Sequence, residues 1–205
     1  MGVPLTRQQM RNCLYVGKAT RWLKEQARNE WFIKATDRSL DPNKMRDREA
    51  INRFCGFYLL GVEKYELDYK GDMDKFLAEA LNEMNKKKEH ELQQLASKFE
   101  LSMKNNFNVF NEQSFRKHTP DSTRRSVINI ALFDIFSVVM TRYNYDFVVQ
   151  KKEVIHNLFY LLMKDDKDDN FNRSITLSTN NVNNVKYRFE AINKIFREKL
   201  NVNQD

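Results

Sequence analysis

Val127-Ile128-Asn129-Ile130-Ala131-Leu132-Phe133-Asp134-Ile135-Phe136-Ser137-Val138-Val139-Met140 is apolar on almost every side and holds neither Gly nor Pro. A run of that kind is a buried strand or a buried helix. Its length and lack of breakers predict a helix that other helices surround. Ahead of it lies Arg116-Lys117-His118-Thr119-Pro120-Asp121-Ser122-Thr123-Arg124-Arg125, a basic loop full of hydroxyls. Residues 116–143 therefore read as a cationic loop feeding a buried central helix near residues 125–143.

Helical signals continue on both sides. Thr6 and Gln9 fit a capping box that opens a helix with Met10, Cys13 and Leu14 inward. Trp22, Leu23 and Ala27 share the next face, with Trp31, Phe32 and Ile33 extending or following it. After the break at Asp41-Pro42-Asn43, Asp47 is expected to cap a helix carrying Ile51, Phe54, Cys55, Tyr58 and Leu59, ending at Gly61. Residues 65–71 read as a loop, and Asp72 as the next cap. The stripe from Met73 to Met84 resumes through Leu92, Leu95, Phe99, Met103 and Phe107. Unbroken, residues 72–107 would be about 54 Å long at ~1.5 Å per residue, against about 43 Å for a globule of this chain length. A break near residues 85–88 is therefore expected, with Lys86-Lys87-Lys88 as a solvated turn.

Beyond the central run, Val154, Ile155, Leu158, Phe159, Leu161 and Leu162 predict a core helix, and 171–177 a short one. Val185, Phe189, Ile192, Ile195 and Phe196 predict a last helix. No period-2 strand and no internal repeat stands out. Five Gly and three Pro are too few for a turn-rich β fold. The expectation is an all-α fold of eight or nine helices, a single helical domain over 1–205, with sub-halves 1–112 and 113–205 as an alternative division.

Net charge is +7, spread as +5 over 1–71, −2 over 72–112, +2 over 113–150 and +2 over 151–205. No Lys/Arg tail concentrates it. Such a balance fits a nucleic-acid surface and equally fits solubility charge. Cys13 and Cys55 have no partner at metal-ligand spacing and read as buried thiols of a reducing compartment. No run reaches the ~20 apolar residues that span a bilayer, and the start lacks a signal-peptide pattern. A cytoplasmic protein is expected, with 201–205 disordered.

Catalytic signatures are missing. His90, His118 and His156 are widely spaced and form no zinc motif, and no phosphate-cradling Gly-rich loop or nucleophile elbow occurs. The acidic run at 164–170 resembles part of a calcium loop but lacks the turn Gly and closing Glu, so it reads as a solvated helix end. No catalytic residue, metal or cofactor is assigned. Two constellations remain. Arg46, Asp47, Glu49 and Arg53 can form structural ion pairs at helical spacing. Arg116, Lys117, Arg124 and Arg125, beside Ser122, Thr123 and a helix start, are candidate nucleic-acid contacts of the kind a phosphate needs. The competing reading has Arg116 bracing the loop and the others solvated.

Several spaced motifs carry a resemblance. Residues 4–15 (Pro4-Leu5-Thr6-Arg7-Gln8-Gln9-Met10-Arg11-Asn12-Cys13-Leu14-Tyr15), Lys34-Ala35-Thr36, Met45-Arg46-Asp47-Arg48-Glu49 with Arg53-Phe54, Gly71-Asp72-Met73-Asp74-Lys75-Phe76-Leu77 and the stretch 110–116 occur in order. Together they resemble the bacterial family with a ParB/sulfiredoxin-like domain found at the amino-terminal side of GmrSD-type restriction endonucleases. Only the family's carboxy-terminal helical part is matched, and the amino-terminal α/β nucleotide-binding domain is absent from the chain on this reading. The resemblance implies a non-catalytic module of a nucleotide-dependent anti-phage restriction system. Its implied partners are a ParB-like nucleotidase domain or subunit and a nuclease, with DNA contact and self-association left open and no membrane. Arg11 and Asn12 are the candidate interface toward the nucleotidase. A stand-alone nucleic-acid-binding module and an inert fragment are the alternatives.

Overall fold

The computed structural model describes residues 4–164 and 170–200. These form twelve α-helices: α1 (Arg7–Leu14), α2 (Lys18–Gln26), α3 (Glu30–Thr36), α4 (Arg46–Leu59), α5 (Gly61–Leu67), α6 (Met73–Lys86), α7 (Glu89–Phe110), α8 (Ile130–Val139), α9 (Tyr145–Gln150), α10 (Lys152–Met163), α11 (Asn170–Ser174) and α12 (Val182–Leu200). Two single 3-10 turns follow α7 and α8, and the only pairing of extended backbone among the described residues is one bridge between Arg116 and Ile128. The fold is all-α. The acidic run at 165–169 and the tail 201–205 lie outside the described residues. Among those described, no helix is long and apolar enough to cross a membrane.

α8 is the buried central helix, packed against α4, α7 and α12, while α7 reaches the most neighbours. From Ala131 to Val139 every residue is buried, including the polar Asp134 and Ser137. Its start falls at Ile130, later than the apolar run suggests, because Asn129 caps it. Asn129 Oδ1 accepts from the backbone of Ala131 and Leu132, both at 3.0 Å, while its Nδ2 donates to the Ile175 carbonyl at 2.7 Å. Val127 stays outside the helix, largely exposed. At the other end, α7 supplies donors for carbonyls that a buried helix end leaves orphaned. Ser102 Oγ reaches Ser137 O at 2.6 Å, and Asn106 Nδ2 adds a second donor at 3.2 Å to Phe136 O, which also accepts from the Met140 N–H. Asn105 Nδ2 spans Met140 O and Tyr143 O at 3.0 and 2.9 Å.

The break between α6 and α7 falls at Lys87-Lys88, where the stripe lapses. Lys86 pairs there with Glu83 on its own helix, and Lys87, in the break, with Glu91 of the first turn of α7. Asp72 caps α6 by accepting from Lys75 N at 3.1 Å. Gly17 permits the close approach of α2 to α6: an added Cβ would lie 2.4 Å from Asn85 Oδ1. That same oxygen accepts from Ala19 N at 2.9 Å.

Several expectations are overturned. α1 carries the Thr6–Gln9 capping box, yet it buries Gln8 and Arg11 and turns Met10, Cys13 and Leu14 outward. Asp47 lies inside α4 rather than capping it; Met45, in the left-handed region at φ 52°, precedes the helix. Residues 61–67 are helical, the chain reversing at Gly61 with φ 81°. On α10, Val154 and Leu161 face outward while Ile155, Leu158 and Phe159 are buried.

Candidate functional site

The loop between α7 and α8 was expected to offer four cations together. It separates them. Arg116 is 2% exposed, among the largest buried side chains. Its Nε donates to Glu112 O at 3.0 Å, Nη1 to Ser126 O, and Nη2 to Thr36 O at 3.1 Å and Ser39 Oγ at 2.7 Å. These acceptors stitch both ends of the loop to the end of α3. All are neutral, and burial pulls the guanidinium below its ordinary pKa. Arg116 is thus a brace: four of its five N–H donors are spent on the protein's own oxygens, and its burial turns it away from the surface where a phosphate would bind.

Lys117 Nζ donates to Asn172 Oδ1 at 2.7 Å and to Thr176 Oγ1, tying the loop to α11 and the turn after it. Arg125 forms an ion pair with Asp37, each half-exposed. Arg124 is exposed, with no hydrogen bond or ion pair among the described residues. The helix start that was to supply free N–H groups is occupied by the Asn129 side chain. Ser122 Oγ is likewise engaged, accepting from Thr119 N at 2.8 Å.

The second constellation also rearranges. Arg53 ignores its helical neighbours and clamps Asp134 of α8 through Nε and Nη2, at 2.7 and 2.6 Å. Arg188 of α12 joins the same carboxylate at 2.9 Å. Its Nη1 donates to Thr179 O at 2.6 Å, and Arg53 also reaches Asn180 Oδ1 at 3.1 Å. Two buried cations share one carboxylate. Burial depresses Arg53, but the charge and hydrogen bonds of Asp134 together outweigh it and hold Arg53 above its ordinary value. Burial, with repulsion from Arg53, leaves Arg188 lowered. Tyr65 closes the cluster, its hydroxyl within reach of two carbonyls, Gly71 O at 2.8 Å and Asn180 O at 2.5 Å, that compete for its one proton, and burial pushes its pKa up to about 12.

Glu49 turns instead toward Arg11 at 3.7 Å. Asp47 accepts from Arg48 N at 2.8 Å, and burial raises its carboxyl. Arg46 is exposed. Of the four residues expected to pair among themselves, Glu49 and Arg53 find partners on other helices. A buried Arg that needs a carboxylate some eighty positions away leaves no short-range signal.

The amino-terminal helix shows the clearest unpartnered feature. Arg11 is buried, with Nε on Gln8 Oε1 at 3.0 Å and Nη1 on Asp74 Oδ1 at 2.6 Å, so it faces α6 rather than outward. Arg7 joins Asp74 at 2.7 Å. Asn12 is half-buried. The surface left open carries Met10 and Leu14, one turn apart, with Cys13, and is flanked by Leu5 and Val16. Leu14 and Val16 are 76% and 75% exposed. In comparisons with known proteins, no family model, no curated protein and no solved structure matches the chain.

Proposed function

We propose that this chain is a non-catalytic helical module that works by assembly, docking the open face of α1 onto a ParB-like nucleotidase domain or subunit of a GmrSD-like, nucleotide-dependent restriction system. The observation that carries the reading is the apolar strip Leu5, Met10, Leu14 and Val16, set on a helix whose polar side is the buried one. A polar-in, apolar-out surface helix inverts the usual arrangement, and exposed apolar patches mark interaction sites. Leu5, Met10 and Leu14 of the strip lie within the residues 4–15 that carry the family resemblance, and Val16 follows directly. Nucleotide chemistry and DNA cleavage then belong to partners, and this chain supplies the rigid platform. DNA contact, on this reading, falls to Arg124 at the exposed edge of the loop.

The test mixes the purified chain with a ParB-like nucleotidase encoded beside it and reads the mass by light scattering after gel filtration. A one-to-one complex is expected, lost in Leu14→Glu and in Val16→Glu while their circular dichroism and melting temperature stay near wild type. Absence of a complex at tens of micromolar overturns the reading. A homodimer of the chain alone, abolished by the same substitutions, assigns the face to self-association instead.

A further inference from the structure

His118 and His156, far apart in sequence, meet in the structure. The loop between α7 and α8 carries His118 to the face of α10, where its Nε2 lies 3.3 Å from Nε2 of His156. The rings approach tip to tip, with centroids 5.6 Å apart and planes at 51°. His118 Nδ1 sits 3.0 Å from the Arg116 carbonyl, which can only accept. Nδ1 therefore carries the His118 proton, and its Nε2 is a bare acceptor. His156 Nε2 is then the donor. The result is a two-bond relay from His156 through His118 to the Arg116 backbone.

The walls around this relay are aromatic. His118, 5% exposed, stacks on Phe159 with centroids 4.6 Å apart, and half-buried His156 stacks on Tyr160 at 4.6 Å. Phe110 of α7 stands edge-on to both. The charges that bear on the pair are Glu153 and Lys152, of opposite sign, on His156, and His156 itself on His118. Asp121 of the loop and Glu153 act on Tyr160 beside them. Among the described residues no carboxylate hydrogen-bonds either ring. A first proton has His156 Nδ1 to take, which the relay leaves free, and it keeps the inter-ring bond as a charge-assisted one. A second proton has only His118 Nε2. There it destroys the acceptor and sets two cations tip to tip.

We propose that the His118–His156 pair is a proton-operated latch: it holds residues 118–124 of the α7–α8 loop on α10, and it opens when both imidazoles are charged. Burial fixes the direction of the response. It lowers both imidazoles below their ordinary value of about 6.5, so the latch contributes in full above that pH and is lost as pH falls through the folded-state values. Opening is local, because the anchors on either side do not titrate in this range. Arg116 keeps its bonds to the loop ends and α3, and Lys117 keeps Asn172 and Thr176. Arg125 keeps Asp37, and Ser126 Oγ still donates to Lys117 O at 2.8 Å across the base of the loop. The freed segment includes Arg124.

The test follows the imidazole nitrogens of the full chain by NMR, and its amide hydrogen exchange by mass spectrometry, from about pH 7.5 down to about 4.5. Each exchange rate is divided by its intrinsic value at that pH. His156 should titrate before His118. Exchange over residues 155–160 of α10 should quicken by about tenfold or more in step with the second titration, while α4 and α7 hold their protection. His156→Gln presents an amide donor to neutral His118 and an amide oxygen to the protonated ring, so this variant should fold and lose the response. His90→Gln, at an exposed position, should keep it. Protection in α10 that stays level across the range, or that falls as far in His156→Gln, overturns the latch and leaves a structural hydrogen bond. A fall shared equally by α4 and α7 is global acid unfolding and overturns it as well.

Discussion

Arg116 and Arg124 belong to one loop and meet opposite fates. Phe115 takes φ 59°, a left-handed conformation that costs a non-glycine residue on the order of 1 kcal/mol or more. That turn sends the Phe115 ring onto Phe133 at 4.7 Å and swings Arg116 toward α3. Composition announces four cations in the loop but not which is swallowed, because burial depends on where the Thr36 and Ser126 carbonyls end up. The bracing alternative weighed for Arg116 is the one its hydrogen bonds support. Arg124, left outside, is the residue on which a DNA role can be tested cleanly. If the loop contacts a phosphate, anisotropy of a labelled duplex should rise at low salt and fall steeply with added salt. Arg124→Ala should weaken that binding by about 1 kcal/mol, roughly fivefold, without moving the melting temperature. An unchanged isotherm removes Arg124 from the interface.

At the scale of helices, apolar periodicity was the reliable guide and polar burial the unreliable one. The stripes of α6, α7 and α12 are buried along their expected residues except Phe107 and Ile195, which are partly buried, and the central run forms α8 from Ile130. α1 inverted because Met10, Cys13 and Leu14 carry the apolar pattern, while Asp74 and Glu49 hold Arg11 on the other side. An ion pair with α6 overrides a three-residue stripe on so short a helix. α5 was hidden because its one deeply buried side chain is Tyr65, anchored by its hydroxyl as much as by its ring. The cations that feed on Asp134 were equally unreadable, since Asp134 sits mid-run as though it were an interruption. Their dependence on it gives a sharp expectation. Asp134→Asn removes the carboxylate that, among the described residues, forms the ion pairs of two buried guanidinium groups, and breaking such a pair costs about 3–5 kcal/mol. Urea denaturation should show that loss as a lower midpoint with m unchanged. A loss under 1 kcal/mol would mean that the Asn180, Thr179 and Ser174 oxygens already compensate both cations.

Across the whole molecule, the buried apolar residues from Ala19 to Leu200 form one continuous cluster, joining residues of 1–112 to residues of 113–200. α8, from the second stretch, fills the space between α4 and α7 of the first. Residues 1–112 produced alone therefore lack the rings that pack on Phe32, Phe57 and Phe110, and residues 113–205 lack the cap donors of Ser102, Asn105 and Asn106. Each half should show exposed-apolar dye binding and no cooperative melting, whereas mixing the two should restore a cooperative transition. Two halves that each melt cooperatively would show that the joint core is dispensable. The shared carboxylate also sets a timetable for synthesis. Asp134 leaves the ribosome 81 residues after Arg53, and Arg188 follows 54 residues later. At about 5–20 residues per second, the nascent chain carries an unmatched core cation for roughly 4–16 s before its counter-charge arrives. Translation speed through α5, α6 and α7 thus determines how long the unfinished amino-terminal helices need a chaperone's shelter.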